Sequence, residues 1–127
     1  MAPARRGHTP ASSRNSSKGQ REDFLLLSTA TIRDFIHVAD VARFVEIVLD
    51  RGVAGVYNVG TGRAVSIREL ATIMMRLAGL SGEPLYAPPR PGDIKHSVAD
   101  ATKAKSLGWQ PQILPEEGLR RLCTLNL

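Results

Sequence analysis

Apolar residues change their spacing several times along this chain, and each change predicts an element. From Met1 to about Arg21 there is no periodicity, only Ser, Arg, Gly, Pro and small residues, so order is expected to begin near Asp23. Asp34-Phe35-Ile36-His37-Val38 is short, β-branched and aromatic, which predicts a strand. Val41, Phe44, Val45, Val48 and Leu49 then recur as one helical stripe, ending near Asp50 and released by Gly52. Gly55 to Val59 is again strand-like, broken by Gly60-Thr61-Gly62. Ser66 and Glu69 form a capping box for a second helix. Its stripe is Ile67, Leu70, Ala71, Met74, Leu77 and Ala78, and Gly79 provides the left-handed stop. Leu85-Tyr86-Ala87 is a further short strand, and Asp100 caps a short helix through Leu107 that Gly108 ends. Pro115 opens a last helix with Glu116 and Glu117 in its first turn and Leu119, Leu122 and Cys123 on one face. Short strands alternating with amphipathic helices predict an α/β or α+β domain.

Composition bounds this picture. The 127 residues leave room for one domain, and 43% hydrophobic with 23% charged residues is ordinary for a globular chain. The net charge of +5 points to anionic partners until its position is considered. Residues 1–22 hold five basic residues against one acid, whereas residues 23–127 hold 12 basic and 11 acidic residues. The excess therefore sits in a disordered basic tail, 1–22, and the folded part, 23–127, is nearly neutral. No aromatic residue interleaves the basic ones in that tail, which argues against nucleic acid as a partner. The tail also partly resembles an organelle transit peptide but lacks an apolar helical face. A single cysteine, Cys123, excludes an internal disulfide and a thiolate-built zinc site, so a reducing, cytoplasmic setting is expected. No apolar run approaches the roughly 20 residues of a membrane span, so no membrane partner is expected.

Candidate chemistry is sparse. Gly60-Thr61-Gly62 lies between a strand and a helix, where backbone amides can approach a pyrophosphate, but Val65 stands where a third glycine belongs, which favours a tight turn. His8, His37 and His96 lack metal-ligand spacing, and Cys123 on an apolar helix face reads as core. Arg90-Pro91-Gly92-Asp93 is the most informative loop. An arginine fork holds phosphate bidentately, Pro and Gly set the turn, and an aspartate accepts from neighbouring sugar hydroxyls. Arg33 could supply a second guanidinium. Local pairing of Arg33 with Asp34, or of Arg90 with Asp93, on a solvated surface explains the same spacing more simply.

Four ordered motifs together resemble a known family. They are Arg33-Asp34-Phe35-Ile36-His37-Val38-Ala39-Asp40-Val41-Ala42; Tyr57-Asn58-Val59-Gly60-Thr61-Gly62; Arg90-Pro91-Gly92-Asp93 with Ala99-Asp100 and Lys103-Ala104; and Leu107-Gly108-Trp109-Gln110-Pro111. In this order they resemble the NAD-dependent sugar-nucleotide epimerases and dehydratases of the extended short-chain dehydrogenase/reductase group. Over about residues 31–122 the chain looks like the C-terminal part of a UDP-glucose 4-epimerase-type enzyme. The resemblance implies an α/β fold, the small substrate-binding lobe without its Rossmann lobe. It implies that Arg33 and Arg90 hold the diphosphate of a UDP-sugar, that Asp93 holds the nucleotide ribose, and that Ser97 faces the nucleotide. Family enzymes oxidise C4 of the sugar with bound NAD and return the hydride to the other face. The glycine-rich cofactor turn and the Tyr-x-x-x-Lys pair of that reaction are not in this sequence: Thr61 follows Tyr57 by four and Arg90 follows Tyr86 by four. No catalytic or cofactor-binding residue is therefore assigned, and NAD is expected with the full-length family and not with this chain alone. A fragment of a 4,6-dehydratase, or a non-catalytic module that partners a separately encoded Rossmann lobe, are the alternatives.

Overall fold

The computed structural model describes residues 25–26 and 31–125, and the predicted basic tail lies outside them. Strand β1 (Leu25–Leu26) pairs in parallel with β4 (Leu85–Tyr86). A second sheet has the order β3-β2-β5, with β2 (Ile32–Arg33) between antiparallel β3 (Val65–Ser66) and parallel β5 (His96–Ser97). Helices α1 (Val38–Arg51), α2 (Ile67–Leu77), α3 (Thr102–Lys105) and α4 (Pro115–Leu125) complete a mixed α/β arrangement.

The helices follow from local chemistry. Ser66 Oγ accepts from the Glu69 amide at 3.0 Å, as the capping box requires, while the Glu69 carboxylate accepts from Arg63 at 3.2 Å instead of reaching back. Gly52 takes a left-handed φ of +60° and donates its N–H to Leu49 O, closing α1. Asp100 stands one residue before the N-cap of α3, Ala101, and its Oδ1 accepts from the Thr102 amide at 3.0 Å; the helix itself is shorter than predicted and ends at Lys105.

Two predicted strands are not strands. Asp34 to His37 is an extended strap whose ladder ends at Arg33, because Ile32 and Arg33 have partners on both sides and the strap then turns its polar groups to other tasks, while Val38 already begins α1. Gly55 to Val59 has no ladder partner among the described residues. Its alternation is nonetheless real: Tyr57 and Val59 pack inward, and Val56 is 84% exposed. Period-two hydrophobicity reports a half-buried extended chain, and hydrogen-bonded pairing needs a second strand besides.

The core gathers Phe44, Ala101, Ala104 and Trp109, with Ile36, Ile47, Val48, Tyr57, Val59 and Leu107 packed around them. The Phe44 ring meets those of Tyr57 and Trp109 at centroid distances of 5.5 and 5.7 Å. Val45 and Leu49, predicted to be buried, are exposed, and Ile47 faces the core in their place. Helix α4 also turns differently from expectation. Pro115, Gly118, Leu119 and Leu122 line its contact groove, leaving Cys123 one residue, about 100°, further around and exposed. Cys123 is therefore not core.

One buried carboxylate secures this core to the chain after Trp109. Asp40 has no exposed surface. It accepts from the Gln112 amide at 3.1 Å, the Ile113 amide at 3.0 Å and the Arg43 guanidinium, while its own carbonyl accepts from the Trp109 indole N–H at 2.9 Å. Burial pushes this carboxyl up, but the Ile113 and Gln112 amides and Arg43 outweigh it and hold it below the ordinary aspartate value. Asp40→Ala leaves two amides unpaired and is expected to lower the unfolding free energy by about 2–4 kcal/mol, read by urea titration of the single tryptophan's fluorescence.

Candidate functional site

Parallel pairing of β2 with β5 makes Arg33 and Ser97 cross-strand partners, so two of the four expected site residues are neighbours by backbone register. The other two share one turn. The Asp93 amide donates to Arg90 O at 3.3 Å, the Asp93 carboxylate accepts from the Arg90 amide at 3.3 Å, and Gly92 takes φ +85° between them. Only Ile94 and Lys95 separate this turn from β5, and Lys95 O accepts from the Ile32 amide at 2.8 Å. Arg90, Asp93 and Ser97 are exposed and Arg33 is half-buried.

Neither simple local pairing is what forms. Asp93 engages the Arg90 backbone and not its guanidinium. Arg33 Nη1 donates to Ile32 O at 2.9 Å, and the Asp34 carboxylate turns elsewhere. Among the described residues neither guanidinium is held by a carboxylate, unlike Arg43, Arg63, Arg68, Arg76, Arg120 and Arg121. Two arginines and an aspartate are thus left with free charge on adjoining segments.

The glycine turn has a different use from the one its pattern suggests. Asp34 accepts from the Thr61 amide at 3.0 Å, the Gly62 amide at 2.8 Å, the Ala99 amide at 3.2 Å and the Thr61 hydroxyl. Burial raises this carboxyl's affinity for a proton, and the Thr61 hydroxyl and the three amides reverse that, leaving it below its ordinary value. A Cβ on Gly60 would stand 2.4 Å from Ala99 Cβ and 2.8 Å from Asp34 Oδ2, so only glycine admits the approach. The amides that could cradle a pyrophosphate are occupied by the chain's own carboxylate, and the turn does not fit a dinucleotide. Lys103 joins the same region, donating to Val56 O at 2.9 Å with its ammonium 4.5 Å from the Tyr57 ring centroid.

Sequence reasoning missed Asp34 and Asp40 as organising groups. Apart from Arg43, three residues after Asp40, their partners lie 27 to 73 residues away, where no local spacing signals them. The larger surface groove, about 470 Å³, contains none of the four candidate residues, and the arginines lining it, Arg63, Arg68 and Arg76, all face glutamates. The arginines without a carboxylate partner among the described residues lie instead on the β2–β5 edge and its loop.

Comparison with known proteins agrees with the motif order. A family model described as GDP-mannose 4,6 dehydratase matches residues 7–122. The UDP-glucose 4-epimerase of Mycolicibacterium smegmatis is 42% identical over 91 residues, covering 70% of this chain and 29% of that protein. GDP-L-fucose synthase 1 of Arabidopsis thaliana is 36% identical over 90 residues, 69% of this chain and 28% of that one. The crystal structure of UDP-glucose 4-epimerase with UDP-glucose from Thermotoga maritima matches with a TM-score of 0.73 at 36% identity, over 82% of this chain and 36% of that chain. This chain spans less than a third of the length of the two curated relatives.

The Asp34 arrangement has a pH signature. A carboxyl that holds its proton less tightly when folded contributes fully above the ordinary aspartate value of 3.8, and the contribution is lost as pH falls through the lowered folded value. Unfolding free energy is expected to be flat with respect to these two aspartates from neutral pH to about 5 and to fall steeply below 4. In Asp34→Asn the acid limb of the curve, measured by urea unfolding at each pH, is expected to become shallower than in the parent.

Proposed function

The chain belongs to the family described as GDP-mannose 4,6 dehydratase, matching the C-terminal lobe of extended short-chain dehydrogenase/reductase epimerases, and from this we propose that it binds the nucleoside diphosphate of a sugar nucleotide. Arg33 and Arg90 hold the diphosphate, Asp93 accepts from the ribose hydroxyls, and Ser97 lines the nucleotide beside Arg33. The observation that carries this reading is the β2–β5 pairing, which sets Arg33 against Ser97 directly after the Arg90–Asp93 turn. Guanidinium forks suit phosphate oxygens, and both lack a carboxylate among the described residues.

The role is positional. Anchoring the diphosphate fixes where the sugar sits, which is how a binding lobe contributes to a reaction whose reacting groups lie outside it. UDP-sugar is the ligand favoured by the epimerase relatives, one of which is described with UDP-glucose. The match to a GDP-L-fucose synthase favours a guanosine nucleotide as the second reading. Asp34 fills the Gly60–Gly62 turn, and we assign NAD to a Rossmann lobe, in the same enzyme or as a partner. We assign the binding lobe to residues 23–127. A cytoplasmic setting accords with the single cysteine, and no helix of the described residues is long and apolar enough to cross a membrane.

Calorimetric titration with UDP, UDP-glucose and GDP tests the reading. Saturable binding of one nucleotide series is expected, weakened roughly tenfold or more in Arg90→Ala and in Arg33→Ala. Absence of heat with all three ligands, or full affinity retained in both variants, overturns it.

A further inference from the structure

We propose that His37 is an acid-sensitive latch between α1 and α4, capping the first helix and seating the last while its Nδ1 is unprotonated, and releasing both when it takes up a proton. His37 is the residue before α1, and its Nδ1 accepts from the Ala39 amide at 3.1 Å. A ring nitrogen that accepts carries no proton, so protonation sets one donor against another. It also puts a positive charge at the positive end of the dipole of a 14-residue helix. Both effects act in the same direction.

The other side of the ring faces α4. A Cβ on Gly118 would stand 3.0 Å from His37 Cδ2, so α4 rests on the imidazole at a residue with no side chain. Gly118 is itself buried. The remaining walls of this groove of about 300 Å³ are apolar: Phe35 and Ile36 from the strap, Leu70 from α2, and Pro115, Leu119 and Leu122 from α4.

No carboxylate among the described residues pairs with the imidazole to offset its charge. On α1, Asp40 is taken by Arg43 and the amides of Gln112 and Ile113. On α4, Glu116 faces Arg76 and Arg120, and Glu117 faces Arg120 and Arg121. On α2, Glu69 faces Arg63 and Arg68 faces Glu83. The strap from Asp34 to His37 is thus pinned at both ends, by a carboxylate at one and by an imidazole at the other.

Amide hydrogen exchange of the whole ¹⁵N-labelled chain, corrected for the intrinsic pH dependence of exchange, tests the latch between pH 7.5 and pH 5.5. Protection of the Ala39 amide is expected to fall about tenfold on acidification in the parent. His37→Asn, whose side chain caps without titrating, is expected to hold its protection constant, and His96→Asn, altered at an exposed histidine on β5, to follow the parent. Constant Ala39 protection in the parent overturns the latch, and this measurement decides even if a variant does not fold. Equal loss in His37→Asn and the parent overturns it as well.

Discussion

A single carboxylate, that of Asp34, holds together three stretches that are far apart in sequence. Its acceptors take the amides of Thr61 and Gly62 on one side and of Ala99 on the other. Because Arg33 is the adjacent residue, the arginine that ends β2 is oriented by whatever fixes Asp34. Because Ala99 follows Ser97 by two, the same carboxylate also fixes the exit of β5. The candidate site is therefore an edge whose two strands are tied off at one point by a carboxylate that is not itself one of the candidate residues.

Asp40 performs the matching task for the core. It draws the segment after Trp109 onto the first turn of α1, and the indole N–H reaches back to its carbonyl. Buried carboxylates are tolerated where every lone pair finds a donor, and here amides contribute most of the donors. Amides do not titrate, so the donors that hold this carboxyl below its ordinary value do not themselves change with pH. The polar groups of the candidate site differ: Arg90, Asp93 and Ser97 are exposed, and neither guanidinium is paired with a carboxylate among the described residues.

Much of this was legible in the sequence wherever the determining contact is local. The Ser66 cap, the Gly52 and Gly79 stops and the Arg90–Asp93 turn all depend on residues within a few positions of one another, and each forms. What misled was of two kinds. The Gly55–Val59 alternation correctly marked Tyr57 and Val59 as inward, yet pairing depends on a neighbour that no local pattern reveals. The stripe on α4 was legible as helical, but the face it presents is set by His37 lying on Gly118, a contact across 81 positions that favours a residue with no side chain. His37 itself looked like a strand residue because its neighbours are apolar; its use as a helix cap follows from the imidazole's lone pair, which composition does not register.

The glycine turn shows why motif and function part company. A strand-to-helix turn rich in glycine converges backbone N–H groups on one point, and that point attracts negative charge of any origin. A phosphate from solution must give up translational freedom and its hydration to occupy it. A carboxylate on the same chain, already held one residue beyond a paired strand, gives up far less. Once Asp34 is there, the amides are spent and Gly60 is required for the close approach of backbone and carboxylate, so this glycine is necessary for the brace itself. The same physics makes a cofactor cradle and an internal brace, and only the identity of the nearest anion distinguishes them.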